Sequence, residues 1–219
     1  MPGPRLTAPI ESTLYSGRGG TFGSGSGGSR RKSPCGTGDR RSDTIDHVPP
    51  LPQPAFWPAS LHTDRLLLRP IERADVAVMS ELWTDPEVRR YLGGPVAAEE
   101  LPARERGCVG AVGAFSVLLR TEPVVIGSVL VESDSRRAGR AEVSYQLLPE
   151  HWGRGYGREA VTAAISWALD EVTPARPEVV AVTQEANARS RRLLESVGMT
   201  LADHFVEWGE PQVLYARKT

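Results

Sequence analysis

Hydrophobic positions recur from Leu61 onward with a spacing that changes along the chain. Three apolar segments, 114–120, 124–132 and 140–148, are separated by short polar connectors. Connectors this short predict antiparallel neighbours, because a parallel pair of strands needs a crossover of a dozen or more residues. We therefore expect a three-stranded meander in the middle of the chain.

Helical and strand patterns flank the predicted meander on both sides. Before it, the sequence predicts a short buried strand at Leu66–Leu68, an amphipathic helix at 75–83, and a helix at 96–106 that Pro102 would interrupt. After it, the sequence predicts a helix at 156–170, a strand at 178–182, a helix at 187–197 ended by Gly198, and a closing hairpin of 200–206 with 213–217. This order indicates an α+β fold around a mixed sheet.

Residues 1–60 have a different composition, since 27 of these 60 positions are Gly, Pro or Ser. Such a segment offers too little apolar surface to offset an ordering entropy of about 1–2 kcal/mol per residue. We expect a disordered tail over 1–60 and a single domain over 61–219. The basic residues of the tail suit an arm for nucleic acid or an acidic partner, although such clusters are more often simply solvated. The Arg- and Ser-rich start also resembles an organelle transit peptide, with a misassigned start codon as an equal alternative.

Composition narrows the class of protein. The formal net charge is −1 in 219 residues, which argues against nucleic acid as the main partner. No segment approaches the roughly 20 apolar residues of a membrane-spanning helix, so we expect no membrane partner. Cys35 and Cys108 form no disulfide framework, and neither they nor the histidines have metal-ligand spacing. We expect a cytoplasmic protein without a metal, as a monomer or homodimer.

A glycine-rich segment carries the sharpest chemical signal. Gly153, Gly155 and Gly157 alternate with larger residues where the last meander strand leads into the helix predicted at 156–170. Backbone N–H groups at a helix N-terminus bind anions, and glycine lets phosphate oxygens approach them. Arg154 and Arg158 are available as charge partners. The segment predicts a phosphate site, although an ordinary glycine loop or a dinucleotide fingerprint would use the same residues.

Four segments together resemble the GNAT family of N-acetyltransferases, in particular the branch that acetylates ribosomal-protein N-termini and its small-molecule relatives. They are Thr63–Pro70, Trp83–Val88, Glu142–Leu147 leading into Trp152–Ala160, and Asn187–Met199. The resemblance covers about Leu61 to Arg217. It implies a mostly antiparallel sheet of six to seven strands flanked by about four helices, with acetyl-CoA lying where the fourth and fifth strands splay apart.

The resemblance also implies which residues bind the cofactor. The pantetheine would pair with the backbone near Gln146, Leu147 and Leu148. The pyrophosphate would lie on the loop formed by Gly153, Arg154, Gly155, Tyr156, Gly157 and Arg158. Asn187, which by residue type suits the N-cap of the helix predicted at 187–197, would also contact the cofactor, and Ser190 would lie near the thioester sulfur and donate a hydrogen bond to the leaving thiolate.

The resemblance implies acetyl transfer to an amine without a covalent enzyme intermediate, and a carboxylate is needed to accept the proton. Glu142 is the first candidate for this base and Glu207 the second. Trp83, Tyr91 and Phe115 are candidates for the wall of the acceptor site, where a small-molecule amine or a protein N-terminus would bind. A non-catalytic acyl-CoA-binding regulator and a dinucleotide-binding protein remain as alternatives.

Overall fold

A computed structural model describes residues 57–137, 139–172 and 178–218. Residues 1–56, which make up most of the predicted tail, lie outside the described part of the chain. The eight strands are β1 Leu61–His62, β2 Leu66–Pro70, β3 Ala114–Leu119, β4 Val125–Ser133, β5 Ala141–Leu147, β6 Glu178–Gln184, β7 Thr200–Glu207 and β8 Glu210–Lys218. The five α-helices are α1 Val76–Thr84, α2 Pro86–Arg89, α3 Leu101–Cys108, α4 Tyr156–Trp167 and α5 Ala188–Ser196.

All eight strands form one sheet in the order β1-β2-β3-β4-β5-β6-β8-β7. Every neighbouring pair is antiparallel except β5 and β6, which run parallel. The parallel pair is joined at two positions only, Ala141 with Val179 and Glu142 with Val180. Beyond Glu142 the two strands diverge, and the sheet opens into a wedge. The α+β fold and the antiparallel meander of β3, β4 and β5 confirm the predictions from the sequence.

Alternating side chains of the central strands pack into two separate cores on opposite faces of the sheet. Val129 and Val131 of β4 belong to the larger core, which also holds the apolar stripe of α4. Leu130, between them, points to the other face and packs with α1 residues such as Met79 and Leu82. The wedge between β5 and β6 is therefore flanked by different helices above and below.

The structure extends the sequence-based description at its weakest points. The sheet has eight strands rather than six to seven, because the two-residue β1 is too short to show a periodic pattern. The described residues form five α-helices rather than about four, because α2 is also too short to show one. Pro102 lies in the first turn of α3, where a proline is tolerated, and does not interrupt a longer helix. Trp57 packs 5.2 Å from Phe115 between ring centroids, so the packed domain begins before Leu61.

The described residues contain no helix long and apolar enough to cross a membrane.

Candidate active site

A cavity of about 550 Å³ occupies the wedge between β5 and β6. Its floor is formed by the parts of β5 and β6 that do not pair with each other, residues 143–147 and 181–183. The N-terminal ends of α4 and α5 form one side, and residues 87–92 at α2 form another. The cavity therefore exists because the sheet splits, and it is lined by three separate stretches of the chain, within 87–92, 143–158 and 181–196.

The glycine-rich loop lies at one end of this cavity and leads into α4. The N–H of Glu159 bonds to the carbonyl of Gly155, which makes Glu159 the first residue to donate within the helix. The N–H groups of residues 156–158 precede this first bond, and such groups form the positive end of a helix. Gly155 has a φ of +80°, and a Cβ on Gly157 would lie 2.8 Å from Cδ1 of Leu193. This donor set fits a phosphate group, and the positive φ of Gly155 favours glycine at that position.

A pair of residues in the turn between β1 and β2 fixes the position of this loop. The carboxylate of Glu159 accepts hydrogen bonds from the Thr63 hydroxyl at 2.6 Å and from Nε of Arg65 at 2.7 Å. Arg65 also donates to the carbonyl oxygen of Arg154 and lies over the ring of Tyr156. These hydrogen bonds outweigh the effect of burial and lower the pKa of Glu159. Thr63 and Arg65 lie in the segment Thr63–Pro70 that resembles the GNAT family, but the sequence predicted no role for either residue.

The backbone of β5 presents only some of its groups to the wedge. The N–H of Leu148 bonds to Ile126 of β4, and the Leu148 side chain is buried in the core under α1. Because backbone groups alternate along a strand, those of Gln146 also face β4 and those of Leu147 face the wedge. The carbonyl of Leu147 accepts a hydrogen bond from Nε1 of Trp152 at 2.7 Å. Of the three residues predicted for the pantetheine, Leu147 is the one whose backbone N–H lies on the open side.

Asn187 and Ser190 come together at the start of α5. The side chain of Asn187 caps the helix by accepting a hydrogen bond from the N–H of Ser190 at 3.1 Å. The Ser190 hydroxyl lies 2.7 Å from the hydroxyl of Tyr145, and both residues line the cavity. Burial raises the pKa of Tyr145 to about 12, so its phenol is protonated at neutral pH. Tyr145 was missed by the sequence analysis because its partner is 45 residues away in the chain.

The stretch of chain that forms this site matches a known sequence family. A family model described as an acetyltransferase (GNAT) domain matches residues 65–200. The chain belongs to the GNAT acetyltransferase family. It is therefore an acetyltransferase that uses acetyl-CoA as the acetyl donor.

Individual relatives agree with this assignment. The chain is 31% identical over 145 residues to an uncharacterized N-acetyltransferase, p20, of Bacillus licheniformis, a match that covers 63% of this chain and 80% of that protein. A GNAT-family acetyltransferase from Bacillus anthracis has a TM-score of 0.66 at 23% identity, covering 73% of this chain and 98% of the other. Spermidine N-acetyltransferase from Vibrio cholerae, solved with CoA and spermine, has a TM-score of 0.58 at 20% identity and covers 71% and 96%. These two structures show that the fold is shared.

The two predicted catalytic carboxylates of this acetyltransferase share one arginine. Arg136 donates to Glu142 at 2.9 Å and to Glu207 at 2.7 Å, and its guanidinium is 3.5 Å from Asp134. Burial raises the pKa of Glu142, and the charge of Arg136 opposes that rise. Glu142 lies at the closed end of the wedge, next to Val143, which lines the cavity. Neither carboxylate itself lines the cavity.

The three predicted acceptor-site aromatics lie in different places. Tyr91 lines the cavity from the segment after α2. Trp83 and Phe115 are 1% and 0% exposed, in the cores on opposite faces of the sheet. Neither lines the cavity, because α1 and β3 direct these rings into the packed interior. Phe115 instead packs edge-on against Trp57 and Trp167.

Other candidate chemistries are less well supported by the described residues. Cys108 is buried in the core under α1, and burial raises the pKa of its thiol to about 11, so it is a poor nucleophile at neutral pH. Residues 57–137, 139–172 and 178–218 contain no group of three or more potential metal ligands. The strands before the glycine loop are antiparallel, whereas a dinucleotide fingerprint belongs in a parallel array.

Proposed function

We propose that this acetyltransferase transfers its acetyl group to a primary amine by direct attack of the amine on the thioester. The acceptor is a protein N-terminus or a small-molecule amine. The observation that carries the proposal is one continuous cavity, which runs from the positive end of α4 to the hydroxyl pair of Tyr145 and Ser190 and on to the wall formed by α2. A donor and an acceptor can therefore meet in one site.

The cofactor would occupy the part of the cavity next to α4. The pyrophosphate would be held by the backbone of Gly153–Arg158, with the Arg154 and Arg158 guanidinium groups as charge partners. The pantetheine would run along the open edge of β5 at Leu147. Arg189 stacks over Trp152 with its guanidinium carbon 4.0 Å from the ring centroid, which adds positive charge at the same end. These residues bind and orient the thioester and take no part in bond making.

The chemical step requires one bond to form and one to break. The amine nitrogen bonds to the thioester carbon, the carbon–sulfur bond breaks, and the sulfur leaves as a thiolate. Ser190 would donate a hydrogen bond to the developing thiolate charge, and the protonated phenol of Tyr145 would donate to Ser190. The two hydroxyls would thus act as a chain of donors directed at the leaving group.

The attacking amine must lose a proton, and Glu142 is our first candidate to accept it through water. Its pKa is raised by burial, which makes it a stronger base than an exposed glutamate. Glu207 is the second candidate, because its carboxylate pairs with the same guanidinium, 2.7 Å from the second terminal nitrogen of Arg136. An α-amine titrates at about 7.7–8.0 and a lysine amine near 10.4, so the α-amine is easier to deprotonate at neutral pH.

Steady-state kinetics test this proposal. The full-length protein is assayed for CoA release with N-terminal peptides, amino acid amides, polyamines and aminoglycosides, and the acetylated product is identified by mass spectrometry. We expect turnover with at least one amine and intersecting lines when both substrates are varied. Parallel lines would indicate a covalent acetyl-enzyme and would contradict direct attack. CoA release that requires no amine would contradict amine acetylation.

A further inference from the structure

Two polar side chains that line the cavity find no hydrogen-bond partner within the described part of the chain. Ser144 and Gln146 lie on β5, and both line the cavity. Gln146 is 3% exposed, and its Oε1 and Nε2 find no hydrogen-bond partner among the described residues. The hydroxyl of Ser144 is likewise buried without a described partner. A buried carboxamide that loses its hydrogen bonds to water destabilises the fold, so its presence here calls for a ligand.

These side chains face the side of the sheet on which α2 lies. Ser144 is paired across the ladder with Leu130, and Gln146 with Ser128, so each pair shares one face. Leu130 packs in the core that Val88 of α2 also contacts. Tyr145, between Ser144 and Gln146, points to the opposite face and bonds to Ser190. Strand β5 therefore separates the proposed leaving-group hydroxyls from Ser144 and Gln146.

The carboxamide of Gln146 carries a hydrogen-bond acceptor and a donor side by side. An amine next to a carbonyl presents the complementary pair, because its N–H groups can donate to Oε1 while the carbonyl oxygen accepts from Nε2. A polyamine has only donors when protonated, and it would leave Nε2 without a partner. The hydroxyl of Ser144 can donate or accept, and it adds a second contact on the same face.

We propose that Gln146, supported by Ser144, binds the acceptor and selects amines that carry a carbonyl on the neighbouring carbon over amines that carry no oxygen. This inference rests on the proposed function of the same cavity. It gives the Gln146 side chain a role in acceptor specificity, whereas the sequence predicted only a contact between the Gln146 backbone and the pantetheine. It also predicts that the carboxamide contributes little to folding, since it makes no hydrogen bond to the described residues that could be lost.

The test compares two acceptors, glycinamide and propylamine, in the wild type and in Gln146→Met. Methionine keeps the length of the side chain but removes both hydrogen-bonding groups. We expect the preference for glycinamide, expressed as a ratio of kcat/KM values, to fall at least about tenfold, as a lost hydrogen-bonding group in a specific site implies. The KM for acetyl-CoA should stay within about twofold, and the melting temperature should stay the same or rise.

Gln212→Met is the matched control. Gln212 is also buried, at 5% exposure, but its Nε2 donates to the carbonyl of Glu207 and it does not line the cavity. This variant should melt at a lower temperature and keep the wild-type preference. Should Gln146→Met fold poorly, Gln146→Leu and Ser144→Ala provide the same comparison of acceptors.

Several outcomes would overturn the inference. An unchanged preference, an equal loss with both acceptors, or a rise confined to the KM for acetyl-CoA would each show that Gln146 does not read the acceptor. These outcomes differ from failure of the proposed function. In that case the wild-type protein itself would release no CoA with any amine, and the inference would fall with it.

Discussion

Removing the hydroxyl of Tyr145 tests the proposed chain of donors at the leaving group. In Tyr145→Phe the ring remains in place, and only the contact at 2.7 Å to Ser190 is lost. If Tyr145 donates to Ser190, the loss should lower kcat about two- to tenfold, since a net hydrogen bond contributes about 0.5–1.5 kcal/mol. Ser190→Ala removes the terminal donor itself and should lower kcat by more than that.

The double variant decides whether the two hydroxyls act as one unit. If Tyr145 acts only through Ser190, then Tyr145→Phe should cost nothing further in a protein that already carries Ser190→Ala. The coupling free energy would then be about 1 kcal/mol, within the range found for residues in direct contact. The assay is CoA release in single turnover with saturating amine, so that product release does not hide the chemical step.

Two results would refute this reasoning. Fully additive effects of the two substitutions would show that the hydroxyls act independently. A loss of activity in Tyr145→Phe that follows a fall in melting temperature would show that the contact is structural. Thr162→Val is a suitable control for hydroxyl removal, because the Thr162 hydroxyl donates to the carbonyl of Arg158 on the exposed side of α4.

Three further predictions follow from the ion pairs. Arg136→Met removes the charge that opposes the burial-raised pKa of Glu142, so the acidic limb of the kcat/KM profile should move to higher pH, and an unmoved limb would argue against Glu142 as the base. Arg65→Ala should weaken acetyl-CoA binding several-fold in calorimetry with little change in melting temperature, because this half-exposed arginine positions the glycine loop; unchanged affinity would contradict that role. Asp75→Asn should lower the free energy of unfolding by about 3 kcal/mol, because it breaks a buried pair with Arg69 and a bond to Ser116. Burial favours protonation of Asp75, but its partners lower its pKa below 3.8, so this stabilisation is present above that pH and is lost as the pH falls further. The difference in the free energy of unfolding between Asp75→Asn and the wild type should therefore be smaller at low pH than at neutral pH.

The long periodic elements could be predicted from the sequence because their signals are local. The apolar stripe of α4 and the short connectors of the meander depend only on neighbouring residues. The two-residue β1 and the single-turn α2 carry no periodicity, so they were not predicted. Composition averaged over 60 residues also hid Trp57, whose packing against Phe115 depends on a residue far along the chain.

The candidate site could be predicted in part for the same reason. The glycine loop and the Asn187 cap are local features and lie where the sequence placed them, at the cavity. The links between Tyr145 and Ser190, and between Arg136 and Glu207, join residues 45 and 71 positions apart and exist only in the folded chain. Trp83 and Phe115 were predicted at the acceptor site from the family resemblance and their residue type, and neither reveals the side of the sheet to which a ring points.

Titration calorimetry of the full-length protein with acetyl-CoA tests the central claim most directly. We predict binding in the micromolar range that Gly155→Trp abolishes, because the new side chain would fill the loop at the positive end of α4. Gly110→Trp is the matched control, since Gly110 also has a positive φ, has open space around it and lies outside the cavity. Binding that survives Gly155→Trp, or no binding by the folded wild type, would contradict the assignment of this cavity to acetyl-CoA.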